Sequence, residues 1–235
     1  MVKSCLTVIL MLTAFTGIRA QTADDIINKY LEAIGGKDKI AQLKSIHMES
    51  TTEAMGNEGP STITILNGKG YRYESEMNGQ KIIQVYTDKG GWAVNPFMGS
   101  TTPQPLPDET YKESKGQLDL FPLYNYADKG NKVELEGKEA GAYKLKLTTA
   151  DSVETTFYID SATYYITKAT RNATMMGQAM EVSSKFSDFK KTDFGIVYPF
   201  AIDISFGEQF NLTTKVNKIE MNQDVDPKIF DMPKS

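Results

Sequence analysis

Gly70-Tyr71-Arg72-Tyr73-Glu74-Ser75-Glu76-Met77-Asn78-Gly79-Gln80, running on through 81–90 to Gly91-Trp92-Ala93-Val94-Asn95-Pro96, is the stretch that decides the fold. Alternation with period two puts Tyr71, Tyr73 and Met77 on one face and Arg72, Glu74 and Glu76 on the other. Asn78-Gly79 is a two-residue hairpin signal, because both central positions of that turn need positive φ. The next strand carries Ile83 and Val85. After Asp88-Lys89-Gly90-Gly91 a third strand begins with Trp92, the only tryptophan of the chain. Three consecutive strands joined by tight turns predict an antiparallel meander.

Upstream, Ser45–Met55 and Pro60–Leu66 read as another antiparallel pair, with Ile63 and Ile65 facing together. Before them Thr22-Ala23-Asp24-Asp25 forms a capping box, and Ile26, Ile27, Tyr30, Leu31 and Ile34 repeat at helical spacing up to Gly35-Gly36. The apolar stripe is one-sided, so this helix is expected to lie on a sheet. Lys37–Leu43 predicts a further short helical turn.

Downstream, Pro103, Pro105 and Pro107 oppose a central strand, so Met98–Pro107 reads as a loop. Pro107–Leu120 is a modest helix candidate. Period two then returns at Lys132–Gly137, Tyr143–Thr149, Val153–Asp160, Tyr164–Thr174, Gln178–Phe189 and Tyr198–Phe206. Phe210, Leu212, Thr214 and Val216 share a parity that Ile219 and Met221 reverse, which predicts a bulge near Asn217-Lys218. Asp226-Pro227 should open a last helical turn that docks Phe230. The expected fold is mainly β: about eleven antiparallel strands curling into a barrel or an open half-barrel, and an open one needs Thr22–Ile34 and Pro107–Leu120 to cover its concave face.

The first twenty residues read as a cleaved signal peptide. A basic start is followed by the apolar run Leu6–Gly17, too short to span a bilayer, and then by Ile18-Arg19-Ala20. Residues 21–235 form one expected domain, exported behind the leader and with no transmembrane segment. The only cysteine, Cys5, lies within the leader, so the rest of the chain can form no disulfide. Without Lys3 and Arg19 the chain has 24 basic residues against 30 acidic ones. That balance disfavours nucleic acid or an anionic membrane surface as a partner.

The chain is poor in catalytic groups. His47 is the only histidine, no Gly-x-Ser-x-Gly elbow accompanies it, and a zinc site of His and Cys is not available. Glu74 and Glu76 alternate with an apolar face and read as solvent-facing charge. No catalytic residue, metal or cofactor is expected. Methionine placed among aromatics, at Met48, Met55, Met77, Met98, Met175, Met176 and Met180, suits either an ordinary core or a pocket for variable apolar shapes.

Three segments together carry a family resemblance. They are Ala23-Asp24-Asp25-Ile26-Ile27 through Ala33-Ile34-Gly35-Gly36, Gly91-Trp92-Ala93-Val94-Asn95-Pro96, and Asp226-Pro227-Lys228-Ile229-Phe230-Asp231-Met232-Pro233. They resemble the periplasmic outer-membrane lipoprotein-sorting proteins, the LolA/LolB-like carriers, in their Bacteroidetes-type form. The resemblance implies an open half-barrel plugged by helices that holds lipoprotein acyl chains or another lipid for transport toward the outer membrane. It also admits an envelope sensor or interaction domain on the same fold, with transport or sensor proteins as partners. A lipid hydrolase would require His47 beside a serine and a carboxylate. Strand parity gives Ile63, Ile65, Tyr71, Tyr73, Met77, Ile83, Val85, Trp92 and Val94 as the expected lining of the cavity, with the inward parity left open.

Overall fold

The computed structural model describes residues 21–175, 178–207 and 209–233. The proposed leader and Met176 therefore lie outside the described residues, as does the Met175 side chain. The capping box forms as expected. Thr22 accepts from the Asp25 amide, and the Asp25 carboxylate accepts from the Thr22 amide. Helix α1 (Ala23–Ala33) follows, then α2 (Lys37–Gln42).

Thirteen strands make one antiparallel sheet among the described residues. They are β1 (Ser45–Ala54), β2 (Asn57–Leu66), β3 (Gly70–Met77), β4 (Gln80–Thr87), β5 (Gly91–Asn95), β6 (Ser100–Pro105) and β7 (Lys132–Glu139). The rest are β8 (Ala142–Thr148), β9 (Glu154–Asp160), β10 (Ile166–Met175), β11 (Gln178–Lys191), β12 (Val197–Phe206) and β13 (Phe210–Met221). Their order is β6-β5-β4-β3-β2-β1-β13-β12-β11-β10-β9-β8-β7. The count exceeds the expected eleven. One addition is β6, read from sequence as a loop. Its prolines are tolerated because β6 is an edge strand, where a missing N–H breaks no ladder.

The topology consists of two meanders joined at β1 and β13. The expected bulge occurs there: Glu49 pairs with Lys218 and Ser50 with Val216, which leaves Asn217 as the extra residue. Because β6 and β7 are opposite edges, the segment 106–131 must cross from one to the other. It carries α3 (Asp108–Ser114) and two short 3₁₀ turns, Lys115–Leu118 and Ala127–Lys129.

Contacts of α3 show that the sheet is curled. The Tyr111 hydroxyl donates to the Thr87 carbonyl of β4 at 2.7 Å. Two residues on, the Glu113 carboxylate accepts from the Thr174 amide (3.0 Å) and hydroxyl (3.1 Å) of β10. β4 and β10 are seven steps apart in the sheet, which in a flat sheet would be roughly 34 Å. One short helix can hold both only if the sheet wraps around it. The result is an open half-barrel with α3 as a strap across it.

The main core lies between α1 and the wrapped sheet. Ile26, Ile27, Tyr30 and Leu31 of α1 pack with Ile46 and Met48 of β1, Leu145 and Leu147 of β8, and Phe157 and Ile159 of β9. Helix α1 is tied at several points. The Val197 amide donates to the Ile34 carbonyl (2.8 Å), Tyr126 donates to Asp24 (2.8 Å), and Lys29 donates to the Tyr164 hydroxyl (3.2 Å).

Candidate functional site

Cross-strand register sorts the nine expected lining residues. On β1 to β3, Ile46 pairs with Ile65 and Ile65 with Tyr71, while Met48 pairs with Ile63 and Ile63 with Tyr73. Ile63, Ile65, Tyr71, Tyr73 and Met77 therefore share the face that carries α1, here the inner face. On β4, however, Tyr71 pairs with Tyr86 and Tyr73 with Gln84, while Val85 pairs with Arg72 and Ile83 with Glu74. Ile83 and Val85 thus face outward, and they take Val94 and Trp92 with them.

The set expected as one wall is two. The reason is hairpin arithmetic: a two-residue turn at Asn78-Gly79 pairs Met77 with Gln80, so odd residues of β3 face even residues of β4. The outer four form a small core of their own. Val85, Trp92 and Phe230 are buried there, with Leu66, Ile83, Val94 and Val225 packed around them. The terminal 3₁₀ turn Pro227–Phe230 docks Phe230 as expected, but on the outer face. Trp92 donates its indole N–H to the Phe230 carbonyl at 2.9 Å. Gly70 is required beneath it, since a Cβ there would stand 2.4 Å from the Phe230 ring. Arg72 lies over Trp92, 5.5 Å from the ring, and pairs with Glu74, which also pairs with Lys81.

Elsewhere the outer face is a charge ladder. Lys146 is within ion-pair reach of Glu134, Glu136 and Glu154, and Lys144 of Glu136 and Glu139. His47 also points outward and hydrogen-bonds Thr64 at 2.9 Å, while Glu220 opposite it pairs with Lys218. The two ring neighbours offer no serine nucleophile.

The inner face has a different chemistry. Tyr71 and Tyr86 lie with ring centroids 5.5 Å apart. Burial pushes the Tyr30 and Tyr71 phenols far above their ordinary value and that of Tyr198 up to about 12. Neighbouring tyrosines reinforce the rise at Tyr71, first Tyr86, then Tyr73 and Tyr198. These phenols stay neutral at any physiological pH and present amphipathic, largely apolar walls. Ile202, Ile204 and Phe206 of β12 continue the same face, since they pair with Thr214, Leu212 and Phe210 of β13.

Beside the aromatics runs a row of buried hydroxyls. Ser50 pairs with Ser61 and Ser61 with Ser75 across three strands. Thr52 bonds both Ser61 (2.7 Å) and Thr214 (3.1 Å). The Ser50 and Ser75 hydroxyls are buried and have no partner among the described residues.

The cover over this region is α3 and the 3₁₀ turn after it. Burial raises the Tyr86 phenol, and Ser114, Arg171 and Gln117 partly offset the rise. That places a β4 tyrosine, a β10 arginine and two residues of the strap around one point. Tyr86, Tyr198 and Arg171 all lie outside the set expected from sequence. The first was legible from the turn at Asn78-Gly79, but no local signal marks Tyr198 as a neighbour of β3 or Arg171 as a neighbour of β4.

Surface depressions lie elsewhere. One of about 520 Å³ is lined by Gln21, Asp25, Asn28 and Lys29 on the polar side of α1. Another of about 120 Å³ is lined by Thr51, Glu53, Glu58, Thr213, Lys215 and Asn217 on the outer face. Both are polar. The methionines divide as well: Met48 and Met77 are buried, whereas Met55 and Met98 stand exposed at hairpin tips.

With this architecture in hand, the chain superposes on solved structures over most of its length. A LolA superfamily protein from Nitrosomonas europaea matches with TM-score 0.57 at 16% identity, covering 90% of this chain and 98% of that one. The fold is LolA-like. A DUF1329 family protein from Desulfovibrio piger matches equally well, with TM-score 0.57, 12% identity and the same coverage of 90% and 98%. A domain assigned to outer membrane lipoprotein sorting, from Vibrio parahaemolyticus, gives TM-score 0.53 at 10% identity over 88% of this chain and 94% of that one. By sequence, the chain matches no family model and no curated relative. At these identities the LolA-like fold is what is shared, and the side chains of the inner face are this chain's own.

Proposed function

We propose that this protein is a periplasmic carrier that holds the acyl chain of a lipoprotein or another lipid against the inner face of its half-barrel. The observation that carries this reading is the composition of that face beneath a removable cover. Tyr71, Tyr73, Tyr86, Tyr198, Ile202 and Phe206 line a wrapped sheet, with α1 against the Tyr198 end and the short segments of the strap over Tyr86. Each CH₂ transferred from water to such a surface contributes about 0.8 kcal/mol, so a long acyl chain gains on the order of 10 kcal/mol gross.

The opposing cost is opening the strap. Its side-chain ties to β4 and β10 are Tyr111 to Thr87, Ser114 and Gln117 to Tyr86, Glu113 to Thr174, and Arg171 to the Glu113 carbonyl. At about 1 kcal/mol net for a typical hydrogen bond, these cost less than the chain gains. Cargo and strap then compete for one surface, and loading requires no chemical step. The likeness to a lipoprotein-sorting domain agrees with this reading.

Lipid extraction followed by mass spectrometry of the protein purified from its own envelope tests it, together with displacement of a fluorescent fatty acid. Retained lipid or saturable binding is expected. The absence of both retained lipid and saturable binding would refute the proposal.

A further inference from the structure

The polar knot under the strap is not explained by acyl-chain packing. Arg171 lies on the inner face of β10, opposite Val182, and burial depresses its pKa, with Glu113 and Tyr86 opposing the shift. A guanidinium carries five N–H donors in a rigid fork. Among the described residues this one makes a single hydrogen bond, from Nη1 to the Glu113 carbonyl at 3.5 Å, the outer limit for such a bond. The evident partner, the Glu113 carboxylate, is instead turned to the Thr174 amide and hydroxyl. A partly desolvated cation with most of its fork unused is costly unless something else fills it.

Resting on the carrier reading above, we propose that Arg171, with Tyr86, Ser114 and Gln117 around it, is a head-group seat for an acyl chain ending in an oxyanion, a carboxylate or a phosphate monoester. The planar fork matches either group with two parallel hydrogen bonds. Tyr86 stays protonated at neutral pH and adds an O–H donor, while Ser114 and Gln117 supply neutral polar atoms. The acyl chain would then lie along Tyr71 and Tyr198. An ester- or amide-linked acyl group offers only a neutral carbonyl and leaves the cation uncompensated. The seat therefore selects free anionic amphiphiles over esters and amides, which narrows the carrier reading to a lipid other than a lipoprotein. The Glu113 carboxylate, held on Thr174 but close enough to act on Arg171, repels the incoming anion and tunes its affinity.

The test is equilibrium binding of palmitate, hexadecyl phosphate and hexadecanol to the purified protein at pH 8, and to its Arg171→Gln and Glu113→Gln variants. Wild type should prefer one or both anions to hexadecanol by at least ten-fold, and the ranking of the two anions identifies the oxyanion. Arg171→Gln should remove that preference, weakening the anions at least ten-fold more than hexadecanol, and Glu113→Gln should tighten anion binding several-fold. Equal affinity of wild type for palmitate, hexadecyl phosphate and hexadecanol overturns the head-group seat and leaves the carrier standing. So does an equal loss for all three in Arg171→Gln. Failure of all three to bind overturns both. The wild-type comparison needs no variant to fold.

Discussion

Trp92→Phe separates the two faces of the sheet. Trp92 is 4% exposed and Phe230 3%, and the indole N–H donates to the Phe230 carbonyl in a buried setting. Phenylalanine removes that donor and leaves the carbonyl without a partner, which costs about 1–3 kcal/mol. The smaller ring adds a cavity term of roughly 1 kcal/mol. The expected destabilisation of about 2–4 kcal/mol corresponds to a fall in Tm of roughly 5–12 °C for a domain of this length. Because Trp92 lies on the face opposite Tyr71 and Tyr86, affinity for a fatty-acid probe well below the new Tm should be unchanged. Far-UV circular dichroism reads the first effect and probe titration the second. A variant that keeps its Tm yet binds ten-fold more weakly would refute the assignment of faces.

Three further outcomes follow from particular contacts. Glu113→Ala removes the two bonds from Thr174, worth about 1–2 kcal/mol in an exposed setting; hydrogen exchange of Asp108–Leu118 should rise roughly five- to thirty-fold, while α1 stays protected. Met55 holds φ 53° at the β1–β2 turn, where the matching turn uses Asn78 at φ 52°; Met55→Asn should stabilise by a few tenths to about 1 kcal/mol in a urea titration. At Glu74, burial raises the carboxyl pKa, but Lys81 and Arg72 outweigh it and hold the group below its ordinary value. Its contribution is therefore complete above about pH 4.3 and is lost as pH falls through the lowered pKa. Glu74→Gln should flatten the acid limb of the stability curve, read as urea midpoints between about pH 5 and 2.5.

Much of the fold was legible because local signals agree with it. The Thr22–Asp25 box starts α1, the parity change between Val216 and Ile219 marks the bulge, and Asp226-Pro227 opens the last turn. Strand β6 was hidden because proline argues against a strand until its edge position is known, and edge position is a property of the whole sheet. The candidate site was half legible. Alternation puts Tyr71 and Tyr73 on one face, as the register does, but carrying the same parity through Asn78-Gly79 groups Trp92 with them, whereas the register sets it on the opposite face. Arg171 and Tyr86 are 85 residues apart and meet only because the sheet curls. Curvature arises from twist summed over thirteen strands and from the strap that crosses them, so no window of sequence contains it.

The most direct measurement is photo-crosslinking of a diazirine-bearing fatty acid to the purified protein, with adducts mapped by peptide mass spectrometry. The account predicts adducts on the inner face, at Tyr71, Tyr73, Tyr86, Tyr198 and Ile202. Adducts confined to outer-face residues such as Val85, Trp92, Val94 and Tyr158 would contradict it.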